Sequence, residues 1–194
     1  MTTNRLPPDA AELLDFWFGM ETPLQPRKIW FAKDPAFDRA CHERFAGTHA
    51  RAAAGELDHW AHTPDGALAL VVLLDQLSRN MFRDTPAAFA QDARALAVAQ
   101  GAIAQGFDLA LPALRRMFLY LPFEHSEDMA HQARSVELFE SLRGHPWLDE
   151  AIDYAHRHHE VIERFGRFPH RNAILGRSST PGELDYLTAP GAGF

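Results

Sequence analysis

Apolar residues recur at helical spacing through almost the whole chain, and no segment of β-branched residues alternates in the manner of a strand. Pairs in which Asp or Thr precedes proline stand before several of the apolar stripes, and glycines follow several of them. This pattern predicts an all-α protein built from amphipathic helices. The starting pairs are Asp34–Pro35, Thr63–Pro64 and Thr180–Pro181, and the ending glycines are Gly19, Gly166 and Gly176.

The same signals place the boundaries of the helices. We expect Ser126 to cap a helix with Glu127 and Asp128 in its first turn, where acidic side chains are favourable. Thr180 and Glu183 are spaced as a capping box for the last helix. The predicted helices cover residues 8–18, 35 to at least 49, 64–81, 87–105, 112–121, 127–142, 147–165, 169–176 and a last one from 181 onward.

Length and charge limit the class of protein. A chain of 194 residues fits one domain, so we expect a single compact helical domain over residues 1–194. The formal net charge of −7 at pH 7 argues against nucleic acid as a partner, because Lys and Arg must neutralise its phosphates. The same charge disfavours an anionic membrane surface. The oligomeric state is left open.

Cysteine usage and hydropathy indicate the compartment. Cys41 is the only cysteine, which excludes an intrachain disulfide and favours a reducing environment. The amino-terminal segment has no charged stretch leading into an apolar one, so it does not have the pattern of a signal peptide. The longest apolar run, 67–74, is far shorter than the roughly 18 residues that span a bilayer. We therefore expect a cytoplasmic protein.

The first polar cluster lies in the string LLDQLSRNMFRD. Asp75, Arg79 and Arg83 are four residues apart and share one side of a helix, with Gln76 and Asn80 beside them. An acid that orients two guanidinium groups next to an apolar stripe suits a carboxylate or a phosphate. The alternative is a row of ion pairs that ties this helix to a neighbour. Asp75, Arg79, Asn80 and Arg83 are the candidate ligand-binding residues here.

The second cluster, in YLPFEHSEDMAHQ, places Glu124 and His125 after Pro122 and just before a predicted helix N-terminus. A histidine there is suited to acid–base chemistry near neutral pH, and free backbone N–H groups nearby are suited to an anion. The alternative is that both side chains only cap the turn. Glu124 and His125 are therefore candidate catalytic residues.

Two Asp-x-x-His pairs, Asp128 with His131 and Asp153 with His156, each place a carboxylate and an imidazole three residues apart on a helix, as some metal sites do. Di-metal helical bundles use Glu-x-x-His at that spacing together with carboxylates from two further helices. This chain has Asp in place of Glu and no clear second set of carboxylates. The sequence therefore predicts no metal ion, and no cofactor motif suggests another prosthetic group.

The third cluster, HHEVIERFGRFPHRNAILGRSST, gives this acidic protein a local excess of positive charge. His158 borders a predicted apolar helix face, and His170 lies in a short helix predicted to start at Pro169. Arginines that flank a helix N-terminus make an anion site, and the aromatic residues between them indicate partial burial. The candidate ligand-binding residues are Arg164, Arg167, Arg171, Asn172 and Arg177, and the candidate catalytic residues are His158 and His170.

The strings LLDQLSRNMFR, LPFEHSED and RFGRFPHRNAILGRSST, together with DFWFG and Trp30–Phe31, resemble the signature blocks of the bacterial domain-of-unknown-function 924 family over nearly the whole chain. The resemblance implies a tetratricopeptide-like array of antiparallel helix pairs and no established activity. The family pattern has Phe-Pro where this chain has Leu77-Ser78. Since proline breaks or kinks a helix that serine continues, this difference leaves the local helix end open.

Two hypotheses of function follow. In the first, arginines from the first and third clusters hold a small anion in an Arg/His-rich pocket, and His125, His158 or His170 supplies acid–base catalysis. In the second, the chain is an interaction module whose groove receives an acidic peptide or a partner's C-terminus, which fold analogy alone supports. An enzyme requires the three clusters to converge in one pocket, whereas a module would expose them along an open groove.

Overall fold

The computed structural model describes residues 6–193. Residues 1–5, which belong to the segment without a signal-peptide pattern, and Phe194 lie outside the described range. Within that range the chain is mostly helical and forms no strand, so the all-α prediction is confirmed. The helices are α1 (Pro8–Phe18), α2 (Pro35–Ala53), α3 (Pro64–Val71), α4 (Leu77–Met81), α5 (Asp92–Ala104), α6 (Ala113–Glu124), α7 (Met129–Glu140), α8 (Asp149–Phe165) and α9 (Pro181–Leu187).

The centre of the fold is the helical segment 64–81, in which α3 and α4 are joined by a π-helical turn, Val72–Gln76. Every residue from 66 to 78 is buried. A helix that is apolar on all sides requires neighbours on all sides. Helices α1, α5 and α6 pack against α3, and α2 packs against α4. Polar side chains between residues 66 and 78 are therefore inside the protein.

The π-helical turn is a feature that the apolar pattern did not reveal. The Leu77 N–H donates to the Val72 carbonyl, five residues back, and the Ser78 hydroxyl donates to the Leu74 carbonyl at 2.6 Å. Single π turns inside α-helices are frequent at functional sites. The turn contains Asp75 and Gln76, and the helix continues through Leu77 and Ser78 to Met81.

Two predicted helices are shorter than the pattern indicated. The segment 87–105 begins instead with a 3-10 turn, Pro86–Phe89, and the α-helix starts only at Asp92. The segment 169–176 contains a three-residue 3-10 turn, Pro169–Arg171, followed by further turns. These closing turns are made by N–H groups that donate to carbonyls at irregular spacings, such as Arg177 N–H to Asn172 O. The short helix predicted from Pro169 to Gly176 is therefore present only as one 3-10 turn, and the rest of that range forms turns.

The link between α6 and α7 also differs from the prediction. Helix α6 runs through Pro122 to Glu124, and His125 is its C-cap. Glu124 and His125 therefore end α6 and do not lie in a loop before the next helix. Proline is tolerated because it removes only one N–H in the final turn, while the His125 N–H still donates to Leu121 O. Asp128, not Ser126, caps α7 by accepting from two backbone N–H groups.

The aromatic residues of the early motif are core residues. Trp17, Phe18 and Trp30 all pack edge-on against Phe118 of α6, with ring centroids 4.8–5.7 Å apart. Cys41 is also fully buried. A smaller buried cluster of Val161, Ile162 and Phe168 joins α8 to the segment after it. Among the described residues, no helix combines the length and the apolar character that crossing a bilayer requires.

The capping box of α9 is confirmed: the Glu183 N–H donates to Thr180 Oγ1, and the Thr180 N–H donates to Glu183 Oε2. We expect Thr180→Ala to lower the free energy of unfolding by about 0.5–2 kcal/mol, because one orphan N–H loses its acceptor. A denaturant titration measures this. Ser178→Ala, an exposed change two residues away, is the matched control. An unchanged midpoint for Thr180→Ala would remove the claim.

A buried charge cluster between the central helix, α5, α6 and the third polar segment

A carboxylate lies at the centre of the cluster. Asp75, in the π turn of the central helix, has no exposed surface. One of its oxygens, Oδ1, lies 2.7 Å from His125 Nδ1 and 3.1 Å from Arg79 Nη1, and the other accepts from Gln76 Nε2 at 2.6 Å. Burial alone would raise the pKa of Asp75, but the charges of Arg79 and His125 outweigh burial, so this pKa lies below its ordinary value. Asp75 is therefore ionised.

The imidazole of His125 is oriented by this carboxylate. Because Asp75 can only accept, the His125 nitrogen that faces it, Nδ1, carries the proton, and Nε2 holds a free lone pair. Within residues 6–193, Nε2 makes no hydrogen bond. Burial and the positive charge of Arg79 lower the pKa of His125, although Asp75 opposes them. The ring is therefore neutral at pH 7 and is arranged as a base.

Arg79 extends the cluster to α5. Its Nη1 and Nη2 donate to the two oxygens of Asp92 at 2.8 and 3.0 Å. Arg171, from the 3-10 turn of the third segment, donates to the same carboxylate through Nη1 at 3.4 Å. The Phe89 ring contacts both guanidinium groups, at 5.5 Å from Arg79 and 4.7 Å from Arg171. A chain of alternating charges therefore runs from Asp75 through Arg79 and Asp92 to Arg171, and the neutral His125 is hydrogen-bonded to Asp75 at one end of it.

A second carboxyl group, Glu124, lies next to this chain and is 4% exposed. Its Oε1 is 3.2 Å from His158 Nδ1, and its Oε2 has no hydrogen-bond partner among the described residues. Burial, reinforced by the charge of Asp75 and opposed by Arg79, raises the pKa of Glu124 to about 8. Glu124 is therefore a neutral carboxylic acid at pH 7, beside an ionised Asp75.

The two other candidate histidines border the same region. The rings of His125 and His158 are 6.4 Å apart, and Phe168 contacts both His158 and His170. Burial lowers the pKa of His158 well below its ordinary value, and burial together with Arg171 lowers that of His170 to about 4. Both rings are therefore neutral near pH 7, and neither supplies positive charge.

Access to the cluster is restricted. Asp75, Glu124, His158 and Arg171 are buried, whereas the side chains of Arg79 and His125 remain 20% and 13% exposed. Solvent therefore contacts the cluster at Arg79 and His125.

Other predicted site residues lie outside the cluster. Arg83 and Asn80 both donate to Asp38 of α2, the arginine through Nε and Nη2 at 2.8 Å each. Arg167 donates through the same two nitrogens to Glu183, the capping-box residue of α9. These pairs tie helices and turns together. For Arg83 this agrees with the alternative given above, an ion pair that joins its helix to a neighbouring one.

The remaining arginines are also accounted for. Arg177 donates to both oxygens of Glu127 and to the side chain of Asn172. Glu127 accepts in addition from the Phe168 N–H, so its carboxylate occupies the position where the sequence suggested an external anion. Arg164 is exposed and lies over the Phe165 ring.

Three of the four residues of the Asp-x-x-His pairs have other partners. Asp128 caps α7, His131 Nδ1 lies 2.9 Å from Ser126 Oγ, and His156 Nε2 lies 2.8 Å from Glu140. In the part of the chain that the structure describes, no three side chains of His, Cys, Asp or Glu are grouped as a metal site.

The comparison with known proteins follows the same blocks of sequence. A family model described as bacterial protein of unknown function (DUF924) matches residues 13–191. The chain belongs to this family. A solved structure, described as a protein of unknown function ATU0120 from Agrobacterium tumefaciens, is 44% identical to this DUF924 protein. The alignment covers 92% of this chain and 96% of that one, with a TM-score of 0.83. No curated protein matches.

Sequence reasoning missed three members of the cluster in this DUF924 protein. Asp92 stands in an Ala- and Gln-rich segment with no motif that indicates a site. The pattern around Phe89 and Phe168 indicates burial of apolar side chains and nothing more. A useful signal was present in the arginine count of the third segment, since buried guanidinium groups need carboxylates or rings from elsewhere in the chain.

The buried pair of Asp75 and Arg79 makes a first prediction for the site. Asp75→Asn removes the charge that offsets Arg79, so we expect a loss of about 3–5 kcal/mol in the free energy of unfolding. Denaturant titration at pH 7 measures it. Glu137→Gln breaks an exposed pair with Arg134 and should cost less than about 1 kcal/mol. Equal losses in the two variants would show that Asp75 is not the central charge.

The neutral Glu124 makes a prediction about pH. Its folded pKa of about 8 exceeds the ordinary 4.5, so its contribution to stability is complete below pH 4.5 and is lost as the pH rises towards 8. Between pH 6.5 and 8 we expect the free energy of unfolding to fall by up to about 1.4 kcal/mol per pH unit. The histidines with lowered pKa act mainly below pH 6.5, outside this window.

Glu124→Gln should abolish that fall, because the amide resembles the neutral acid and does not titrate. Urea titrations at pH 6.5, 7.25 and 8 on the wild type, this variant and the exposed Glu137→Gln control make the comparison. A wild-type slope that persists in Glu124→Gln would assign the titration to another group.

Proposed function

We propose that this protein binds a small anionic molecule beside the Asp75–His125 pair, and that His125 Nε2 acts as a base towards it. The observation that carries the proposal is the buried chain of alternating charges that ends in an oriented, neutral imidazole at one end and in Arg171 at the other. A carboxylate that holds one imidazole nitrogen and leaves the other free is the arrangement used in general base catalysis.

The protonation states support the catalytic half of the proposal. Asp75 is ionised, and Glu124, close enough for Asp75 to raise its pKa, is neutral. Two carboxyl groups whose environments drive their pKa values apart supply an acceptor and a donor of protons at the same pH. In this proposal His125 takes a proton, and the neutral carboxylic acid of Glu124 is available to return one.

The pairing of the arginines narrows the anion-binding half. Arg83, Arg167 and Arg177 already hold carboxylates of the protein, so we assign them to structure rather than to ligand. Arg79 is engaged by Asp75 and Asp92. Arg171 is held by one long hydrogen bond only and is therefore the guanidinium group with most capacity for a ligand.

The alternative, a tetratricopeptide-like interaction module for an acidic peptide, has less support from the geometry. Such a module would present its polar residues along an open groove, whereas Asp75, Glu124 and Arg171 are buried. A cytoplasmic location and the exclusion of nucleic acid stay predictions from Cys41 and the net charge.

A thermal-shift titration tests the proposal. Inorganic phosphate, nucleotides and small carboxylates are added to the metal-free protein at constant ionic strength. A bound anion at 100 times its dissociation constant should stabilise the fold by about 2.7 kcal/mol. Arg171→Ala, or Arg171→Met if the alanine variant does not fold, should abolish the shift, and the matched Arg143→Ala should retain it. No shift with any anion, or an equal shift without Arg171, would contradict the proposal.

A further inference from the structure

Arginine side chains in this protein hold carboxylates in a repeated way. Arg83, Arg143 and Arg167 each use the edge formed by Nε and Nη2, and each places two parallel hydrogen bonds of 2.6–2.9 Å on the two oxygens of one acid. Such side-on pairing is bidentate and requires a group that presents two acceptor oxygens to one guanidinium edge.

Arg171 has the same edge available and no acid on it. Its side chain is 7% exposed, its Nη1 donates to Asp92 at 3.4 Å, and its Nε is buried without an acceptor among residues 6–193. A buried guanidinium donor left unsatisfied is costly, and such donors are nearly always paired in native structures. The edge of Arg171 formed by Nε and Nη2 therefore lacks the acceptor that a buried guanidinium normally has.

Two aromatic rings restrict what completes it. The guanidinium carbon of Arg171 lies 4.7 Å from the centroid of Phe89 and 4.5 Å from that of Phe168. These contacts stabilise the cation but accept no conventional hydrogen bond from Nε or Nη2. They also exclude water from the guanidinium, which strengthens a charged hydrogen bond made in its plane.

We propose that the Nε and Nη2 edge of Arg171 binds the carboxylate of a small carboxylic acid, in the side-on geometry that Arg83, Arg143 and Arg167 use with acids of the protein. This rests on the proposed anion-binding function and names its ligand class. Arg171 is then the residue that determines specificity. A ligand on Arg171 is connected to Asp75 and His125 through the ion pairs that Asp92 and Arg79 make.

The charges of the cluster favour a carboxylate over a phosphate. Asp75 and Asp92 are matched by Arg79 and Arg171, and Glu127 is matched by Arg177, so the cluster has no net charge to offset a dianion. The free-energy cost of burying a charge rises with the amount of charge that no opposite charge offsets. Two acids, Asp92 and Glu127, already lie near the open edge. A monoanion therefore adds one charge that the cluster does not already match, whereas a dianion adds two, so the monoanion costs less to bind.

The experiment compares four anions at the same ionic strength. Acetate and propionate are planar monoanions at pH 7, methanesulfonate is a monoanion with tetrahedral oxygens, and inorganic phosphate carries more charge. We expect the wild-type melting temperature to rise with acetate and propionate in a saturable way, and not to rise in that way with methanesulfonate or phosphate.

Arg171→Lys keeps the charge and removes the side-on edge, so we expect it to weaken the apparent affinity for acetate at least about tenfold. Arg143→Lys, which removes the same edge from an exposed pair with Glu140, is the matched control and should keep the wild-type affinity. An acetate response that survives in Arg171→Lys overturns the proposal.

The outcomes separate this proposal from the one on which it rests. A phosphate or methanesulfonate shift that depends on Arg171, without a carboxylate shift, overturns the carboxylate assignment and leaves anion binding standing. No shift with any anion overturns both. If Arg171→Lys does not fold, nitrogen-edited NMR of the wild type decides: acetate should move one arginine Nε–H resonance downfield, and no movement overturns the carboxylate assignment.

Discussion

A charged carboxylate inside a helix that is buried on every side is the constraint around which this protein is organised. Asp75 is fully buried, so its charge must be stabilised within the protein. Arg79 does this with its positive charge, and His125 does it with a hydrogen bond. Arg79 in turn requires Asp92, and Asp92 reaches Arg171. The placement of one acid therefore determines contacts among the central helix, α5, the end of α6 and the segment after α8.

The same acid sets the protonation of its neighbours. Burial raises the pKa of Glu124, and the negative charge of Asp75 raises it further, so Glu124 is held neutral. His125 is also neutral, with its Nδ1 proton directed at Asp75. The result is a region of low net charge that contains an ionised acid, a neutral acid and a neutral imidazole. That combination is suited to proton transfer and has no evident need in a purely structural core.

Local structure was predicted well where local interactions decide it. The capping box of Thr180 and Glu183, the helix ended by Gly166 and the start of α2 after Asp34 all follow from side chains within four residues of one another. The errors fall where distant groups compete with local preference. The segment after Pro169 does not form a regular helix, because its arginines and backbone groups are engaged by Glu127, Asp92 and the Phe89 ring.

The sequence by itself determined the helical class, most helix boundaries and the three segments that carry polar chemistry, because periodicity and capping are local properties of the chain. Only the tertiary structure decided which acid, if any, each arginine is paired with. Arg167 and Arg171 are four residues apart and chemically identical, yet Glu183 neutralises one and the other keeps an open edge. Partners up to 79 residues away make that difference, and no local pattern records them.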